Sequence, residues 1–86
     1  MQEQYIHITE DGDKFYYKDK AKTILHRLDG PAFEYSNGYK EWNVDGKLHR
    51  TDGPAIEYPY GGKAWYINDV FIFRLNSKGE MTDRMR

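Results

Sequence analysis

Two histidines and two aspartates recur at one spacing, His26 with Asp29 and His49 with Asp52. Neutral imidazole and carboxylate together can bind a divalent cation, and a His oriented by an Asp can act as a general base. A metal-dependent hydrolase could be built on these four residues. Each pair belongs to one duplicated block, Leu25-His26-Arg27-Leu28-Asp29-Gly30-Pro31-Ala32 and Leu48-His49-Arg50-Thr51-Asp52-Gly53-Pro54-Ala55. A catalytic site is ordinarily asymmetric, and here no third partner occurs only once. Recurrence once per unit therefore predicts a structural loop, in which Arg27 and Arg50 bridge to Asp52 or Asp29 while the histidines cap turn backbone. No catalytic residue, metal or cofactor is expected.

The blocks open longer units. Residues 25–47 and 48–70 align without a gap, and twelve of the twenty-three aligned positions are identical. An internal repeat at this density sets the architecture before any other signal. Asp-Gly-Pro cannot lie inside a central strand, because Pro donates no N–H to the ladder, so it marks a sharp entry into the strand at Ala32–Tyr35. Ser36-Asn37-Gly38 turns the chain, Tyr39–Val44 returns, and Asp45-Gly46 turns it again. Counted along each strand, Phe33, Tyr35, Trp42 and Val44 form one apolar face, repeated by Ile56, Tyr58, Trp65 and Ile67, with Lys40 and Lys63 in the same phase. Tyr35, Trp42, Tyr58 and Trp65 are the expected core rings.

Residues 5–24 read as a degenerate first copy. If Gly12 corresponds to Gly38, Tyr16 falls where the full copies carry Trp, and the phase of Ile6 and Ile8 calls for one extra residue in the Glu10–Asp13 turn. After Asp69, Val70-Phe71-Ile72-Phe73 replaces Lys-Leu-His-Arg, so residues 71–86 form a cap and tail. The run from Arg74 to Arg86 is locally basic, and a solvated, partly frayed terminus is expected of it. The whole chain, 1–86, is expected to be a single all-β domain: tandem 23-residue hairpins in a single-layer twisted meander sheet.

Composition agrees. A chain of 86 residues with mean hydropathy −0.97 and 31% charged residues has no thick core, yet 16% aromatic content argues against disorder. Cys is absent, so no disulfide or thiolate zinc site is available. The start, Met1-Gln2-Glu3-Gln4-Tyr5, shows no secretory pattern, no apolar run reaches membrane-spanning length, and a cytoplasmic protein is the expectation. Net charge of −1 lacks the footprint of a nucleic-acid binder. There is no phosphate-cradling Gly loop and no nucleophile in a recognisable context.

The two-stranded unit with turn glycines and return-strand aromatics resembles the MORN repeat. Its wording, Leu-His-Arg-x-Asp-Gly-Pro-Ala-x-Glu-Tyr followed by Gly-x-Lys-x-Trp, is similar to a MORN-like variant found in small bacterial and bacteriophage proteins. The match covers 25–70 well and 5–20 weakly. The resemblance implies a protein-interaction scaffold, and the phage-like wording implies a host-directed inhibitor of counter-defence or anti-CRISPR type, acting in the host cytoplasm.

Function is expected where the copies differ. Tyr39, Tyr60 and Tyr66 fall off the buried phase or at turn tips, and exposed Tyr suits protein interfaces. With Arg74 they form the expected binding set, the partner being a host protein. The same rings and the basic tail are the features a nucleotide- or nucleic-acid-binding alternative would use. Open sheet edges also offer a route to a homo-oligomer.

Overall fold

Four hairpins with the same three-residue loop carry the main sheet. In each, the residue before the loop and the residue after it exchange a backbone bond: Thr9 with Asp13, Tyr35 with Tyr39, Tyr58 with Gly62 and Asn76 with Glu80. The third loop position is Gly12, Gly38, Gly61 or Gly79, all at positive φ between 81° and 101°, where a side chain would be strained. The first turn therefore has the same length as the others. The extra residue expected there is absent, because Ile6 and Ile8 face the side opposite to the one the phase argument assumed.

The computed structural model describes residues 4–85; the ends of the expected domain, Met1–Glu3 and Arg86, lie outside them. The described chain is all-β. β1 (Tyr5–Ile8), β2 (Lys14–Tyr17), β3 (Phe33–Glu34), β4 (Lys40–Glu41), β7 (Ile56–Glu57), β8 (Lys63–Ile67), β9 (Val70–Leu75) and β10 (Met81–Arg84) form one antiparallel open meander in that order. β5 (Asn43–Val44) and β6 (Lys47–Leu48) form a separate two-stranded sheet between β4 and β7. No helix among the described residues is long and apolar enough to cross a membrane.

Two unbroken cross-strand rows define the sheet. His7, Phe15, Phe33, Glu41, Ile56, Ala64, Arg74 and Asp83 stand opposite one another in sequence of strands. The next row is Ile8, Lys14, Glu34, Lys40, Glu57, Lys63, Leu75 and Met81. Its five central residues alternate in charge, which favours this register over a slip by one strand position. Adjacent rows point to opposite faces.

That register corrects the expected apolar face. A three-residue loop places Phe33 opposite Glu41, so Trp42 belongs with Lys40 on the other side. Phe33 meets the rings of Phe15, Tyr35 and Tyr39, whereas Trp42 lies under Arg50. Each face thus carries its own aromatic set.

The core is correspondingly thin. Among the described residues, the buried apolar side chains are Ala32, Phe33, Pro54, Ala55, Ile56 and Ala64, and no large side chain is fully buried. The accessible surface of 5841 Å² exceeds the ~5,300 Å² typical of this mass. The three alanines are each at 0% exposure. They let strands and rings approach closely. The tail also differs from a frayed terminus: Arg74 lies within β9, and β10 pairs with β9 as far as Arg84.

Enlarging a buried alanine should overpack this layer. Ala55→Val is expected to lower unfolding free energy by about 1–3 kcal/mol, while Val70→Thr, at an exposed site, should stay within about 0.5 kcal/mol. Urea unfolding followed by tryptophan fluorescence measures both.

Candidate functional site

The duplicated block is a connector whose polar groups mostly find partners within the fold, the buried His26 Nε2 being the exception. After β2 the chain runs through Leu25-His26-Arg27 beside the return strand of the preceding unit: His26 N–H donates to the Tyr16 carbonyl, and His49 N–H to that of Trp42, each at 3.0 Å. On the other side Arg27 N–H donates to Asn43 O and Arg50 N–H to Tyr66 O. The two copies therefore make the same backbone bonds, shifted by one unit.

The histidines cap the next turn. Asp45-Gly46 and Asn68-Asp69 all have positive φ, the geometry of a tight two-residue hairpin turn whose N–H groups point away from the strand pair. His26 Nδ1 accepts from Asp45 N at 2.9 Å, and His49 Nδ1 from Asn68 N at 3.2 Å. The second turn N–H goes to the carbonyl preceding the histidine, Gly46 to Leu25 and Asp69 to Leu48, each at 2.8 Å. An Nδ1 that accepts this bond carries no proton and is not free to ligate a metal. Lys18 Nζ binds Asp45 Oδ1 at 2.6 Å, and this contact, followed by the charge of Lys18, holds the Asp45 carboxyl below its usual range.

The arginines lock the bend. Arg27 Nε donates to Asp29 Oδ1 at 3.1 Å and Nη1 to the Pro31 carbonyl at 3.2 Å, with the guanidinium 4.0 Å from the Tyr16 ring centroid. Arg50 repeats this on Asp52 at 3.0 Å, Pro54 at 3.0 Å and the Trp42 ring at 3.9 Å, and Nη1 also approaches Glu57 at 3.4 Å. Each Arg thus binds the Asp of its own block, correcting the bridge expected between blocks: two residues apart is within reach of one fork, and the guanidinium is already committed to the ring behind it. Tyr16 takes the place of Trp, as the alignment of the first copy anticipates. In the last unit Phe73 aligns with Arg50 and stacks on Trp65 at 4.3 Å, an apolar substitute for the guanidinium.

Gly30 and Gly53 make room for this. A Cβ at Gly30 would lie 2.9 Å from Arg27 Cζ, and at Gly53 2.8 Å from Arg50 Cζ. Between the two blocks runs an open groove of about 610 Å³ lined by Arg27, Leu28, Asp29, Trp42, Arg50 and Asp52, with His49 at its side. Its charged donors are already satisfied within each block. Among the described residues, no three His, Cys, Asp or Glu side chains come together to hold a metal ion. His26 is buried at 6% exposure and does not line the groove.

The residues expected to bind lie on the other face. Tyr39, Tyr60, Tyr66 and Arg74 gather around Tyr58, a residue expected in the core. Tyr39 meets Tyr58 at 5.7 Å and Tyr60 stacks on Tyr58 at 5.3 Å. Tyr66 packs edge-on to Phe71 at 5.5 Å, and the Arg74 guanidinium lies 5.6 Å from the same ring. Phe15, Phe33 and Tyr35 continue the row toward β1. Tyr35 is 44% and Tyr60 65% exposed; sequence phase placed Tyr35 inside, and the thin core leaves it out. Gly62 holds the Tyr60 ring against the strand, since a Cβ there would lie 2.5 Å from that ring.

Tyr39 is half-buried rather than off the packed phase. Its hydroxyl donates to Glu41 Oε2 at 2.6 Å. Burial first, and then this carboxylate, push the Tyr39 phenol well above its usual value; burial also raises Tyr58. Compared with protein-family models, curated proteins and solved structures, the chain matches none of them.

Two measurements follow from this geometry. Arg50→Ala should cost about 2 kcal/mol through loss of the cation–π contact and charge-assisted bonds, and Gly53→Ala about 1 kcal/mol by displacing the guanidinium. Because Gly53 acts through Arg50, Gly53→Ala should cost less in an Arg50→Ala background, which a double-mutant cycle reads directly. A phenol whose folded pKa lies above its unfolded value of ~10 adds stability that is complete below pH ~10 and lost as pH rises beyond it. Tyr39→Phe should therefore flatten the alkaline fall in unfolding free energy above pH ~10.

Proposed function

We propose that the protein is a non-catalytic binding module that occupies a surface on another protein through its Tyr-rich sheet face. One observation carries this reading: a row of rings from Phe15 to Tyr60, with Tyr66, Phe71 and Arg74 beside it, lies on one face of the sheet, and Tyr35 and Tyr60 in it are exposed. Tyr and Arg are the side chains that most often anchor protein interfaces, because they bury large area with few rotors and retain polar tips. Tyr60 is both exposed and held in place by Tyr58 and Gly62, so it loses little freedom on binding.

The blocks support the same reading: their Arg and Asp side chains and both histidine Nδ1 atoms are engaged in holding the connectors. The likeness of their wording to MORN-like repeats of small bacterial and phage proteins extends the proposal to an accessory protein that binds and inhibits a host protein, of counter-defence or anti-CRISPR type.

The test is capture of a stoichiometric partner from host lysates, with Tyr60→Ala as the comparison. Binding of the captured protein should weaken about tenfold or more in Tyr60→Ala, with the melting temperature little changed. Failure of the wild-type protein to retain any stoichiometric partner across several hosts overturns the reading.

A further inference from the structure

The three arginines whose surroundings are best defined fall into two kinds. Arg27 and Arg50 each satisfy a carboxylate, a carbonyl and a ring. Arg74 makes no ion pair with a described residue, and its Nε is shielded from solvent without a hydrogen-bond partner. Asp83 stands directly opposite it in the β9–β10 register, yet Asp83 Oδ1 accepts the Arg84 backbone N–H instead. Glu41, on the same face, is held by Tyr39 and Asn43. A charged donor that has lost water without gaining a partner is costly. Arg74 is half-buried as a residue and bears that cost at its Nε, close enough to Tyr58 for its charge to oppose the rise in the Tyr58 pKa.

We propose that Arg74 is the specificity anchor of the aromatic face and takes one carboxylate, an Asp or Glu side chain of the partner protein, beside Tyr58, Tyr66 and Phe71. This rests on the binding-module reading above and names the chemistry of its partner. The guanidinium fork matches a carboxylate in two parallel bonds, and part of its desolvation has already occurred in the free protein. One unpaired cation matches one monovalent anion. A nucleic-acid backbone would need several such cations along a track, whereas the other members of the cross-strand row of Arg74 include no Lys or Arg. The rings on either side exclude water from the pair, and in that setting a carboxylate is worth more than at an exposed site.

The experiment uses the full chain, labelled on Arg side chains, titrated at neutral pH with N-acetyl-glutamate methylamide and, separately, with inorganic phosphate. A saturable shift of the Arg74 Nε–H and the Tyr58 ring with the carboxylate probe, weakened at least tenfold in Arg74→Gln and unchanged in Arg84→Gln, is the expected result. Arg74→Lys should restore charge but not affinity, since it lacks the fork. No saturable shift, tighter binding of phosphate than of the carboxylate, or equal binding by Arg74→Gln overturns the proposal. The two readings fail separately. A host protein captured equally by wild type and Arg74→Gln would retain the module and remove the anchor. Carboxylate binding at Arg74 without any captured partner would keep the anchor chemistry and remove the host-protein role.

Discussion

A guanidinium laid on an aromatic ring joins successive hairpins of this protein. Arg27 on Tyr16 and Arg50 on Trp42 each reach back from a connector to the return strand before it. Each is steered by its own Asp and the carbonyl of its own Pro. The main strands are as short as two residues in the middle of the sheet, too short to hold together by their ladder bonds alone. The connectors supply the missing contacts. They add backbone bonds on both sides, and the histidine and the preceding carbonyl take up the N–H groups of the next turn. Remove the arginine and the ring loses its cover, the bend its clamp and the glycine its purpose.

That arrangement gives the two faces of one layer different aromatic sets. The face bearing Trp42 and Trp65 is occupied by Arg50 and by Phe73, the latter closing the array where the third block is missing. The opposite face carries the tyrosines, with Tyr35 and Tyr60 exposed. A thin sheet normally risks exposing apolar area, and here the exposed rings are mostly Tyr, whose hydroxyls remain compatible with water.

Much of this was legible in residue order. The repeat, the hairpin turns, the all-β class and the role of Tyr16 in place of Trp all follow from patterns that act locally: Gly at positive φ, Pro outside ladders, identical spacing. The histidine's role as a turn cap was also readable, since the His and the turn it serves recur together. The aromatic faces were misassigned because apolar residues were counted along each strand without carrying the count through the turn. The turn of Ser36-Asn37-Gly38 pairs Phe33 with Glu41, and one step of register moves a side chain to the other side of a sheet.

The sequence by itself determined the unit, its turns and the local bend, because these depend on residues within a few positions of one another. Only the tertiary structure decided which Asp each Arg would choose, which rings would stand on which face, and that Arg74 would remain unpaired among tyrosines. Those outcomes depend on strand register and on competition among partners distant in sequence. His26, Asp29, His49 and Asp52, the residues with the most evident chemistry, are drawn into the connectors by neighbours that folding brings to them: each His Nδ1 accepts a turn N–H and each Asp accepts an Arg Nε–H, while His26 Nε2 stays buried without a partner.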